Sequence, residues 1–143
     1  MWKSARKFIA AVVGALALVT AASAGAQSAV GTQTTAGPFD RCSIGGKYPV
    51  RKVLSYSTQE NAGYTAYTQF RGADVFVPAQ PGLTGEWLER VLVSDIATGA
   101  CNFGVHDVSV SVMSAGGGFS VRLSGRDERA AGEILRNAQQ LVK

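Results

Sequence analysis

Side chains able to attack, shuttle protons or hold a metal are sparse in these 143 residues. His106 is the single imidazole, and Cys42 and Cys101 are the only two thiols. His106 directly precedes Asp107, a pairing that invites a general-base reading. The stretch reads as extended, and neighbours in an extended chain point to opposite faces, so Asp107 is badly placed to orient the ring. No G-x-S-x-G motif supplies a nucleophile. Catalysis by His106 or by scattered carboxylates stays an alternative, and no catalytic residue is assigned. Zinc needs three or four spaced ligands, which one His and two paired cysteines do not provide, so no metal is expected.

Ser43-Ile44-Gly45-Gly46-Lys47 has the outline of a phosphate loop. It lacks the earlier glycine of that motif, and Tyr48 stands where a Ser or Thr would hold magnesium. The glycine-rich run Ala115–Gly118 precedes a strand, so no helix N-terminus backs it. The acid pairs Glu86/Glu89 and Asp127/Glu128 fall at expected helix starts, where the helix dipole favours negative charge. Neither a nucleotide nor another cofactor is expected.

The richest cluster is aromatic. Tyr48, Tyr56, Tyr64 and Tyr67 fall in or beside one expected hairpin, with Gln59, Asn61 and Gln69 among them. Tyrosine offers a flat apolar ring with a polar tip, which suits protein, peptide or sugar contacts. Ordinary cross-strand packing would use the same residues, and both readings stand.

The elements that must position these groups follow from periodicity. Val50–Ser57 and Tyr64–Phe70 are rich in β-branched and aromatic residues, with Gln59–Gly63 between them, and read as a hairpin. Asp74–Val77 reads as a separate short strand stopped by Pro78. Thr84 caps a helix whose apolar positions are Leu88, Val91, Leu92 and Ile96, closed by Gly99. Asp107–Met113 and Phe119–Ser124 alternate cleanly and form a second hairpin. Asp127 caps a closing helix with the stripe Ala131, Ile134, Leu135, Ala138, Leu141 and Val142. The expected fold is α+β, order ββαββα: a two-layer sandwich in which two helices cover one face of an antiparallel sheet of two hairpins. The other face is then wet. Ser109, Ser111, Ser120 and Arg122 fall there by period two, extended by tyrosines of the first hairpin. The candidate binding surface is Tyr56, Tyr64, Tyr67 and Arg122.

Lys3, Arg6 and Lys7 precede an apolar run, Phe8–Val19, and a small-residue exit. This is the pattern of a secretory signal peptide, with cleavage expected near Ala26; the alternative is an uncleaved N-terminal anchor. Of the formal charge of +4, three positive charges sit in that leader, which leaves +1 for the remainder. A globally cationic nucleic-acid binder is thereby disfavoured. The expected organisation is a signal peptide over 1–26, a flexible linker over 27–37 and a single small domain over 38–143. Both cysteines lie in the exported part, which predicts a Cys42–Cys101 disulfide.

From Thr84 to Val142 the order helix, hairpin, helix carries Val108-Ser109-Val110-Ser111-Val112, a glycine turn, Val121-Arg122-Leu123-Ser124-Gly125 and an Ala/Glu/Arg helix. This stretch resembles part of a BON-type domain. The resemblance implies an exported envelope protein associated with phospholipid and no enzyme chemistry, and it carries over no lipid-binding residue. The expected role is a periplasmic or secreted, non-enzymatic accessory or binding domain of the cell envelope. Its partner would be an envelope protein, a glycan or a lipid surface.

Overall fold

The computed structural model of the chain describes residues 37–142. The expected signal peptide, and all of the linker but Gly37, lie outside the described residues. Six elements follow in order: β1 Lys52–Ala62, β2 Thr65–Pro78, α1 Gly85–Ala97, β3 Ser109–Ala115, β4 Gly118–Ser124 and α2 Glu128–Gln139. The four strands form one antiparallel sheet in the order β1-β2-β4-β3. The two hairpins are thus joined through β2 and β4, and the fold is the expected α+β arrangement with order ββαββα.

The helix-covered face of the sheet is built by alternation. Ala73, Val75 and Val77 from β2, and Val121 and Leu123 from β4, share one core with Leu88 and Leu92 of α1 and Ile134 and Ala138 of α2. Both helices start where their caps put them. Thr84 Oγ1 accepts a hydrogen bond from the Trp87 amide at 3.3 Å, and Asp127 Oδ1 accepts one from the Ala130 amide at 2.8 Å. The expected stripe of α2 holds from Ala131 to Leu141, but Val142 is exposed, because the helix ends at Gln139.

The N-terminal segment contributes a second part of the core. Phe39, Cys42, Ile44 and Tyr48 are buried, and Phe39 packs against Phe103 with ring centres 5.3 Å apart. The Cys42–Cys101 disulfide is formed, with Cα atoms 4.7 Å apart. Tyr48 therefore belongs to the core and not to the aromatic group of the first hairpin.

The first hairpin departs from its sequence reading. β1 runs on to Ala62, and the turn is the two residues Gly63-Tyr64, with φ of 65° at Gly63. A glycine in the first turn position supplies the positive φ that a tight hairpin needs. Asp74–Val77 is no separate strand but the second half of β2, which is 14 residues long. The sequence hides this continuity because Arg71 is an extra residue: Tyr56 pairs with Gly72, and Ser57 pairs with Phe70. Such a bulge shifts the side-chain alternation by one. Gly72 completes it, with φ of 151° and its α-carbon so close to β4 that a Cβ would collide with the Leu123 carbonyl oxygen.

Candidate binding face

Among the described residues no helix covers the sheet's second face, and its rows follow from the register. One row runs Lys52, Phe76, Ser120, Met113; the next Leu54, Asp74, Arg122, Ser111; the third Tyr56, Gly72, Ser124, Ser109. Ser109, Ser111, Ser120 and Arg122 stand on this face as their spacing requires. The surface is less polar than serines alone imply, because Leu54 and Met113 are exposed there, at 54% and 37%.

Electrostatics tie the middle of the face together. The Asp74 carboxylate accepts a hydrogen bond from Ser120 Oγ and lies 3.9 Å from Arg122 Nε. The Arg122 guanidinium sits 4.9 Å from the centre of the Tyr56 ring. A planar cation over an aromatic face is attracted by the ring quadrupole and holds both groups in place. Lys52 lies over Phe76 at 5.8 Å. Between these rows and the β3–β4 turn is a shallow groove of about 500 Å³, with Arg51, Lys52, Leu54 and Phe76 in its lining.

Beyond the bulge the first hairpin leaves the sheet. β4 pairs with β2 only from Gly72 onward, so residues 57–70 form a two-stranded arm. Its outer side is held by three side-chain contacts among four residues. Tyr67 Oη donates to Glu60 Oε2 at 2.9 Å, Arg71 Nη2 forms an ion pair with Glu60 Oε1, and Arg71 Nε reaches Thr58 Oγ1 at 3.4 Å. The Tyr67 hydroxyl and the Arg71 guanidinium hold the Glu60 carboxyl below its ordinary pKa, and the carboxylate in turn raises that of the Tyr67 hydroxyl.

The four candidate residues are thus strung along one side rather than gathered at a point. Tyr56 and Arg122 touch. Tyr67 pairs with Glu60, four residues along β1 from Tyr56, or about 13 Å at strand rise. Tyr64 is fully exposed at the turn, beyond them all.

Sequence reasoning missed the contacts that two carboxylates make. Asp95 Oδ2 accepts a hydrogen bond from the Ser43 amide at 2.8 Å, which ties α1 to the N-terminal segment beside the disulfide. Asp95, Cys42 and Cys101 bring ligand atoms within 4.8 Å of one another, but the two sulfurs are bonded together and offer no thiolate. Glu89 Oε2 accepts from the Val112 amide at 3.0 Å, at the free edge of β3. Both act across elements far apart in sequence, so no local pattern announces them. His106 is exposed, in a loop beside the start of α2, where Asp107, Arg126, Arg129 and Glu133 line a groove of about 400 Å³. No helix among the described residues is long and apolar enough to cross a membrane. Comparison with protein-family models, with curated proteins and with solved structures gives no match for this chain.

Proposed function

We propose that this chain is an exported, non-enzymatic accessory domain of the cell envelope that holds a partner protein against the open face of its sheet. The observation that carries the reading is that face itself. Among the described residues it is bare of helices, and it exposes Leu54 and Met113 beside the Tyr56–Arg122 stack. Its rows continue onto the arm through Thr58, Glu60 and Tyr67. A flat surface of mixed apolar and charged groups suits another macromolecule, whereas small ligands favour enclosed, mostly apolar cavities. Buried aromatic and arginine anchors also carry a large share of the binding energy in protein interfaces.

The test is site-specific photo-crosslinking in the producing cell. A photoreactive residue at Leu54 or Met113 is expected to give an adduct of one defined mass, different from that of two cross-linked copies of this chain. The same residue at Trp87, on α1, is expected to give none. Tyr67→Ala and Arg122→Ala should weaken the Leu54 adduct while leaving the fold intact. Adducts made only of glycan or lipid, or adducts formed equally from Trp87, would sink the reading. So would loss of the cellular phenotype on His106→Ala in a protein that still folds.

A further inference from the structure

β1 is an edge strand of 11 residues, paired among the described residues with β2 alone. Ala62 and Thr65 flank the two-residue turn and exchange hydrogen bonds, so by alternation the even-numbered residues of β1 bond to β2. The amides and carbonyls of Val53, Ser55, Ser57, Gln59 and Asn61 point the other way. Among the described residues, no segment outside the β1–β2 ladder bonds to them. Ser55, Ser57, Gln59 and Asn61 are exposed, and β1 contains no proline. Natural sheets normally blunt such an edge with proline, charge, a bulge or a covering element. The arm adds a second observation. A two-stranded ribbon without a third strand is marginal in water, and residues 57–70 have none among the described residues.

We propose that β1 pairs with β1 of a second copy, antiparallel about a two-fold axis at Tyr56, joining two four-stranded sheets into one of eight strands. Charge selects the register. With Tyr56 opposite Tyr56, Lys52 stands opposite Glu60 of the second copy and Leu54 opposite Thr58, and each pair occurs twice. Lys52 has no carboxylate within 4.0 Å among the described residues, so this pairing gives it the acid it lacks. Sliding to the adjacent two-fold registers sets Lys52 against Thr58 or Ala62 instead. Backbone geometry permits this register: Ser55 and Ser57 become bonded partners, and Tyr56 falls at a non-bonded pair, where facing side chains come closest. Each arm then lies along the other copy's sheet, which supplies its missing third strand. The pairing leaves the outer face open and doubles it, and it is independent of what that face holds.

Sedimentation equilibrium of the purified, disulfide-bonded chain is expected to show twice the chain mass. Lys52→Glu sets like charges together at both ends of the seam, and dimer affinity is expected to fall at least about tenfold. Mixing Lys52→Glu with Glu60→Lys restores opposite pairs and should recover the dimer. Ser55→Pro removes an amide that points off the sheet, so it should give a folded monomer by circular dichroism. Tyr56→Cys should form a disulfide between copies on mild oxidation. Leu54→Cys should not, because two such residues lie about 13 Å apart along the seam, beyond disulfide reach. A monomer mass up to ~1 mM, the weak end of specific binding, overturns the proposal. A dimer indifferent to Lys52→Glu, or cross-linked as readily from position 54 as from 56, overturns it as well.

Discussion

Reducing the Cys42–Cys101 bond should remove a large part of the domain's stability. The bond spans 59 positions. In the chain-entropy relation a loop of that size contributes about 4 kcal/mol by restricting the unfolded chain. Small domains have only about 5–15 kcal/mol in all. The folded state offers little to offset the loss. The bond holds a segment whose own core side chains are Phe39, Ile44 and Tyr48, and the Asp95 hydrogen bond ties the same segment to α1. The assay is urea denaturation followed by far-ultraviolet circular dichroism, with and without reductant. A Cys42→Ser/Cys101→Ser variant serves as the control. At a denaturant slope of about 1.5 kcal/mol per molar, the midpoint should drop by about 3 M. Intact-mass analysis after alkylation should find two reactive thiols only in the reduced sample. A midpoint shift under about 0.5 M would refute the entropic argument. Free thiols in the unreduced protein would refute the bond.

Three further outcomes are expected. Gly72→Ala forces a Cβ into the Leu123 carbonyl at a positive φ, and should cost about 3 kcal/mol in the same urea assay; a loss under 1 kcal/mol would show that the bulge relaxes. Glu89→Ala frees the Val112 amide at the β3 edge, and should cost about 1 kcal/mol and raise the aggregation rate at equal concentration, both measurable by denaturation and light scattering. Glu60 should titrate by NMR below the ordinary 4.5. Its depressed folded value means that its link to Tyr67 and Arg71 is intact above the unfolded pKa and is lost as pH falls through the folded one. In Tyr67→Phe, which removes the larger cause, the Glu60 midpoint should move back up toward the ordinary value.

Legibility in the sequence tracked the range of the interaction. Where one local rule decides, the residues announce the structure. Val108 to Val112 alternate because one face of β3 is buried, and Thr84 and Asp127 are caps because the next amides need acceptors. The disulfide was readable from the cysteine count and the expected compartment alone. What failed were features set by two rules at once. The bulge at Arg71 reverses the alternation midway along β2, so one strand of 14 residues looks like two short ones. Tyr48 looks like its neighbours Tyr56 and Tyr64, yet the disulfide and the Ile44–Tyr48 bridge fold its segment into the core. Of the candidate surface, period two put Arg122 on the right side, while the positions of Tyr64 and Tyr67 depended on a turn that the sequence reading set too early.

The two edges of the sheet are treated in opposite ways, and that contrast ties the unread features together. At β3 the helix α1 packs alongside, and Glu89 reaches across to occupy an amide that would otherwise invite another strand. At β1 the corresponding amides have no partner among the described residues, and the side chains beside them are a valine, two serines, a glutamine and an asparagine. An edge left open by neglect would carry no particular charge pattern. This one carries a lysine and a glutamate placed symmetrically about Tyr56, the arrangement that an antiparallel copy of itself complements. The bulge belongs to the same design. By letting β1 and β2 run past the end of β4, it creates an arm that a single sheet does not support and that a second sheet would.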